Sequence, residues 1–181
     1  MGDTRTKAAE LFDLYAKHQK ELYDYFMQCQ LVAGALARGL REYVGLPEHF
    51  ATVDGGHEDW VRLYNAIPLD GAPVKANSAF DLNKMNERGE LQFAIALALA
   101  HGENSLSKRY FYVYANVRIT AQSVLVTMGP DSDNVLEFEK GTPDFTPFYE
   151  LFVEQIKEAL SRSVYDQGAG AFAPKRKVGF L

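Results

Sequence analysis

Leu91-Gln-Phe-Ala-Ile-Ala-Leu-Ala-Leu-Ala100 is the stretch on which the fold turns. Side chains of a β-strand alternate between two faces. As a strand, this stretch sets Leu91, Phe93, Ile95, Leu97 and Leu99 on one face and Gln92, Ala94, Ala96, Ala98 and Ala100 on the other. Apart from Gln92, neither face wants water, which marks a central strand covered on both sides. Alanine and leucine also lead the helix scale, so a buried helix, apolar nearly all round, is the competing reading. The alternation, and the glycine-containing turn Asn86-Glu-Arg-Gly89 just before it, favour the strand.

Strand signals continue on both sides. Trp60-Val-Arg-Leu-Tyr-Asn-Ala-Ile67 precedes the central segment, and Phe80 and Leu82 lead into its turn. Residues 107–120 follow, with Phe111, Val113, Ala115, Val117 and Ile119 on one face and Tyr110, Tyr112, Tyr114, Asn116 and Arg118 on the other. Residues 123–128 and 135–139 complete the run. Short connections make a mainly antiparallel sheet of about five to six strands the simplest topology. Residues 46–50, 54–59 and 68–77 read as loops, rich in Gly, Pro, Asp and Glu.

Helices bracket the sheet. In residues 1–45, Leu11, Tyr15, His18, Leu22, Tyr25, Cys29, Val32 and Leu36 recur at alternating steps of four and three, with Leu14, Phe26, Ala33 and Leu40 widening the stripe. Asp3 or Thr4 can cap the start, and Gly45 with Pro47 stops the helix. At 1.5 Å per residue such a helix is about 60 Å long, more than a compact domain of this size spans. It must break, with Gly34 and Gly39 as the natural places, or project. The stripe is equally suited to packing on the chain's own domain and to self-association. A second helix opens at Thr146-Pro147, with Phe148, Leu151, Phe152, Ile156, Ala159 and Leu160 at helical spacing, and ends before Gly168. It can cover the large face of the central strand, leaving the alanine face to the long helix or to a second subunit. The reading is one α+β domain over residues 1–167, with a long N-terminal helix over 1–45, a C-terminal helix packed on the sheet, and a flexible tail over 168–181.

Composition narrows the function classes. The 181 residues, 47% hydrophobic, suffice for a single core that buries about 70% of the unfolded chain's surface. A net charge of −5 argues against a protein that grips phosphate backbones. The lone Cys29 permits no internal disulfide and fits a reducing compartment. The N-terminus is charged and amphipathic, unlike a signal peptide, and apolar runs of about ten residues fall short of the roughly 20 that span a membrane. A cytoplasmic protein is expected.

Four places could carry chemistry. Asp54-Gly55-Gly56-His57-Glu58-Asp59 concentrates a histidine and carboxylates, a set able to hold a divalent metal or move protons, with Asp54, His57 and Asp59 as catalytic candidates. Its bland explanation is an acidic turn, and His49 or His101 would have to arrive from elsewhere to complete a site. The 129–134 loop lacks the glycine and glutamate of a calcium-binding EF-hand. Tyr110, Tyr112 and Tyr114, with Lys108, Arg109 and Arg118 nearby, could stack bases or meet a protein partner, and the acidic charge favours the protein. The tail carries Lys175, Arg176 and Lys177 ahead of Val178-Gly-Phe180-Leu181, a layout suited to docking on a partner through its basic cluster, Phe180 and Leu181. Cys29 and His18 lie on the helix stripe; packing explains Cys29, and His18 reads as a packed or interfacial residue.

No phosphate loop, HExxH, GxSxG or CxxC motif is present. The sequence therefore reads as a non-catalytic protein-binding or assembly protein, chaperone-like, an inhibitor or a complex subunit. It would act through the N-terminal helix, sheet face and tail, with a protein partner or a second copy of itself. No cofactor and no metal is expected. The alternatives are a small metal-dependent hydrolase using the 54–59 loop and a single-stranded nucleic-acid binder using the tyrosine face.

Overall fold

A computed structural model describes residues 6–65, 74–100, 108–129 and 134–161, together with the backbone of Val178–Phe180. In chain order the elements are α1 (Lys7–Tyr43), β1 (His49–Ala51), β2 (His57–Asp59), β3 (Val61–Asn65), β4 (Lys75–Ala76), a 3₁₀ turn (Ala79–Asp81), β5 (Leu91–Ala100), β6 (Lys108–Ile119), β7 (Ser123–Met128), β8 (Val135–Glu139), α2 (Thr146–Ser161) and β9 (Val178–Phe180). This is the α+β architecture expected: an antiparallel sheet in the order β4-β3-β5-β6-β7-β8, with β9 beside β6 and a separate β1-β2 hairpin. No helix among the described residues is long and apolar enough to cross a membrane.

The segment 91–100 is a strand, and it is central. β5 pairs with β3 on one edge and along its whole length with β6 on the other, from Leu91↔Val117 to Ala100↔Lys108. That register aligns the large side chains of both strands on one face. Leu91, Phe93, Ile95 and Leu97 join Phe111, Val113, Ala115 and Val117 in the main core, with Val124, Val126, Met128 and Phe138 from β7 and β8. The turn before β5 forms as expected, with Gly89 at φ +71° and its N–H donating to Asn86 O at 3.0 Å.

Both helices cover this same face. Cys29, Ala33, Leu36 and Leu40 of α1 and Phe148, Phe152 and Ile156 of α2 are buried in the main core. The alanine face is thus not covered by α1, contrary to one of the two options the sequence left open. Gln30, 3% exposed, donates from Nε2 to the carbonyls of Phe80 and Leu82 at 3.0 and 2.8 Å, tying the 3₁₀ turn to α1. Phe80 accordingly sits in that turn and not in a strand. The capping side chain of Asp81 closes the turn by accepting the N–H groups of Asn77 and Ser78.

Two expectations about loops and breaks are corrected. Residues 49–51 and 57–59 form a hairpin with His49 opposite Asp59, although charged three-residue strands carry too little alternation to announce themselves. Helix α1 runs 37 residues without a break, about 55 Å, and is capped by the hydroxyl of Thr6, which accepts Ala9 N–H at 3.3 Å. Its end is as the sequence implied, with Gly45 at φ +72°. Gly34 and Gly39 are places of close approach instead of hinges. A Cβ on Gly34 would stand 3.1 Å from Ala79 Cβ, and one on Gly39 would overlap the hydroxyl and ring of Tyr149. Through that glycine the two helices meet, with Tyr149 also 5.6 Å from the Tyr43 ring.

Gly39→Ala therefore separates two effects of opposite sign. Alanine favours the helix by about 1 kcal/mol, but overpacking against a buried ring costs about 1–3 kcal/mol. Urea unfolding is expected to show net destabilisation, and Gly39→Ala combined with Tyr149→Phe to recover part of it. A stabilised single variant would contradict the close packing.

Candidate functional site

The long helix divides into a packed half and an unpacked half. Tyr25 is the first anchor: its hydroxyl donates to Gly89 O at 2.7 Å and receives Ile119 N–H at 3.4 Å. From there to Leu40 the stripe faces the sheet, and Cys29 is fully buried. Burial pushes the Cys29 thiol up, which keeps it a protonated, unreactive group. On the other side of Tyr25, residues 10–24 are exposed all round the helix. Leu11 is 65% exposed, Phe12 72%, Leu14 63%, Tyr15 65% and Leu22 48%, which for side chains this apolar is a large open surface. His18 stands in the same exposed stretch.

The tyrosine face is closed over by its own side chains. β6 sets Tyr110, Tyr112 and Tyr114 opposite Ala98, Ala96 and Ala94, and β3 adds Arg62 opposite Ala96 and Tyr64 opposite Ala94. Large rings lean over small neighbours, so all three alanines are at most 1% exposed. Tyr112 and Tyr114 meet edge to face at 5.5 Å. Burial, and next the adjacent Tyr112, push the Tyr114 hydroxyl up to about 12.

Tyr110 is engaged more deeply. The Arg62 guanidinium lies 4.2 Å above its ring and pairs with Glu58 at 2.5 Å, with only 10% of the arginine side chain exposed. The Tyr110 hydroxyl can donate to Asp59 O at 3.0 Å or Glu58 Oε2 at 3.3 Å. Burial, opposed by Arg62, raises its pKa well above the ordinary range. Together with Lys108, whose Nζ lies 4.3 Å from the Phe50 ring centre, these contacts fasten the β1-β2 hairpin to the sheet. Arg118 is exposed at the far end of the face, opposite Leu125. Arg62 is legible in the sequence as a strand residue only, because its stacking on Tyr110 depends on the β3-β5-β6 order.

The 54–59 candidates disperse. Asp54 lies at the exposed hairpin tip, where it accepts from the Thr52 hydroxyl and from Gly56 N–H at 3.4 Å, and these bonds hold its carboxyl below the usual range. His57 is exposed opposite Ala51. Asp59 pairs with His49, Nδ1 to Oδ1 at 2.6 Å, so the second histidine does arrive, with Glu48 at 3.9 Å from its Nε2 but neither Asp54 nor His57 beside it. Among the described residues no three His, Cys, Asp or Glu groups gather closely enough to hold a metal ion.

Of the tail, the backbone of Val178–Phe180 pairs with β6, Phe180 opposite Phe111. Lys175, Arg176, Lys177 and Leu181 lie outside the described residues, as do the Phe180 side chain and His101.

Comparison with known proteins returns no matching family model, no matching curated protein and no matching solved structure.

The buried hydroxyls make a pH prediction. A tyrosine whose folded pKa lies above its unfolded value of about 10 favours the fold fully below pH 10, and loses that contribution as pH rises through the folded value. For Tyr114 and Tyr149, both raised to about 12, the window is pH 10 to about 12. Tyrosinate absorbance should show a late-titrating group while urea stability falls across that window. A single transition near 10 in the folded protein would contradict the burial.

Proposed function

We propose that this chain is a non-catalytic binding or assembly protein whose main contact surface is the unpacked half of α1. The observation that supports the reading is the stripe of Leu11, Leu14, Tyr15 and Leu22, open to water on a helix whose other half is sealed into the core. Burying a leucine side chain gains about 1.5–3 kcal/mol, so leaving several exposed is costly unless another surface covers them. Tyr112, Tyr114 and Arg118 offer a second, flatter surface. Tyr110 serves the hairpin and is not part of it. The acidic charge and the single buried Cys29 suit a cytoplasmic setting. The chaperone-like, inhibitor and complex-subunit roles share this mode of action, in which a rigid domain presents an amphipathic helix to a groove or to another helix.

Sedimentation of the fluorescently labelled chain in concentrated extract of its own cells tests the reading. Wild type is expected to run as a particle larger than the 20.3 kDa monomer. Leu11→Asp with Tyr15→Asp should return it to the monomer, with domain stability unchanged within about 0.5 kcal/mol because neither side chain touches the core. A monomeric wild type, or a variant that keeps the larger size, would overturn it.

A further inference from the structure

The occupant of the exposed stripe can be argued from its charges and from what blocks its continuation. Leu11, Tyr15, His18 and Leu22 form a seam of the two-helix kind, and the same seam continues through Tyr25, Cys29, Val32 and Leu36. From Cys29 onward its buried positions lie in the main core against the sheet. A parallel partner helix would have to follow the seam into space the sheet occupies. An antiparallel one ends before it.

The flank of the seam selects the register. Lys7, Leu14 and Glu21 are seven residues apart on one edge, a column that reads cation, apolar, anion. Reversed about Leu14, the column is complementary to itself. We infer that the stripe is covered by the same stripe of a second copy, laid antiparallel, with Lys7 of each copy against Glu21 of the other. This rests on the binding role assigned to α1 above.

The same register stacks Leu11 on Tyr15 of the second copy and Ala8 on its His18. It sets Leu14 beside Leu14 and Phe12 beside Phe12 at the two-fold axis. The overlap covers residues 7–21 of both chains and leaves Leu22 at its edge, so the second copy's Lys7 lies a turn short of Tyr25, where the sheet contacts begin. Within its own helix Glu21 is 3.8 Å from Lys17, both well exposed, a pair too weak to withhold it. A parallel pair would face Lys7 with Phe12 and Glu21 with Phe26, giving neither charge a partner across the interface.

Sedimentation equilibrium of the purified full chain is expected to show a monomer–dimer equilibrium, weak because the overlap is about two heptads. Lys7→Glu and Glu21→Lys should each weaken it by about five- to tenfold, since two symmetric ion pairs become repulsive. The double exchange should restore it. Under mild oxidation Leu14→Cys should cross-link to itself. Leu22→Cys should not, because the two copies of that position lie about 27 Å apart along the axis. Cys29, fully buried, stays out of the reaction. Self-cross-linking at Leu22→Cys, or absence of rescue by the charge exchange, would overturn the antiparallel register. A purified chain that remains monomeric while the extract shows a larger particle would overturn the second copy as occupant, yet leave the helix as the binding surface. A monomer in both would remove both readings.

Discussion

The pairing of β5 with β6 is the constraint from which the rest follows. One register places Leu91 opposite Val117 and Ala96 opposite Tyr112, and so separates the chain into a face of large aliphatic and aromatic side chains and a face of alanines under tyrosines. A slip of one residue would exchange the faces and put leucines where the rings now lie. With the large face offering the only extended greasy surface of the described sheet, α1 and α2 both dock there. The alanine face needs no helix, because Tyr64, Tyr110, Tyr112 and Tyr114 close it from within the sheet.

That division leaves α1 longer than the surface available to it. The helix spans about 55 Å, and only the part from Tyr25 to Tyr43 finds apolar partners on the sheet and α2 among the described residues. Gly39 lets α2 approach at one end, and Gln30 ties down the 3₁₀ turn midway. On the N-terminal side of Tyr25 the same amphipathic pattern continues with none of the described residues packed beneath it. A helix held only by its own backbone is marginal at this length, so the exposed turns draw their order from continuity with the packed half. Assembly through those turns would complete the burial that the stripe is patterned for.

Much of this was legible in the sequence because it depends on period. The alternation in 91–100 and 110–119, the four-three steps of 11–36 and the Thr146-Pro147 start each carry their own signal, and the elements formed there. What could not be read was set by tertiary placement. His49 and Asp59 meet because a short charged hairpin pairs them, and Arg62 stacks on Tyr110 because β5 lies between β3 and β6. Gly34 and Gly39 looked like hinges by helix propensity, but their role is room for Ala79 and Tyr149. The tyrosine stripe is legible as an aromatic face, but that its rings also close over Ala94 and Ala96 depends on the register with β5. The candidate loop 54–59 promised a cluster by proximity in sequence, but the hairpin sends Asp54 to Thr52 and Asp59 to His49 and leaves His57 exposed opposite Ala51.

The central claim is that α1 is one helix with two duties, folding from Tyr25 onward and association before it. Amide hydrogen exchange measured at low and high protein concentration tests it most directly. The account predicts strong, concentration-independent protection over residues 29–40 and weak protection over residues 10–21 that rises with concentration. Equal protection along the whole helix at every concentration, or a rise confined to the packed half, would contradict it.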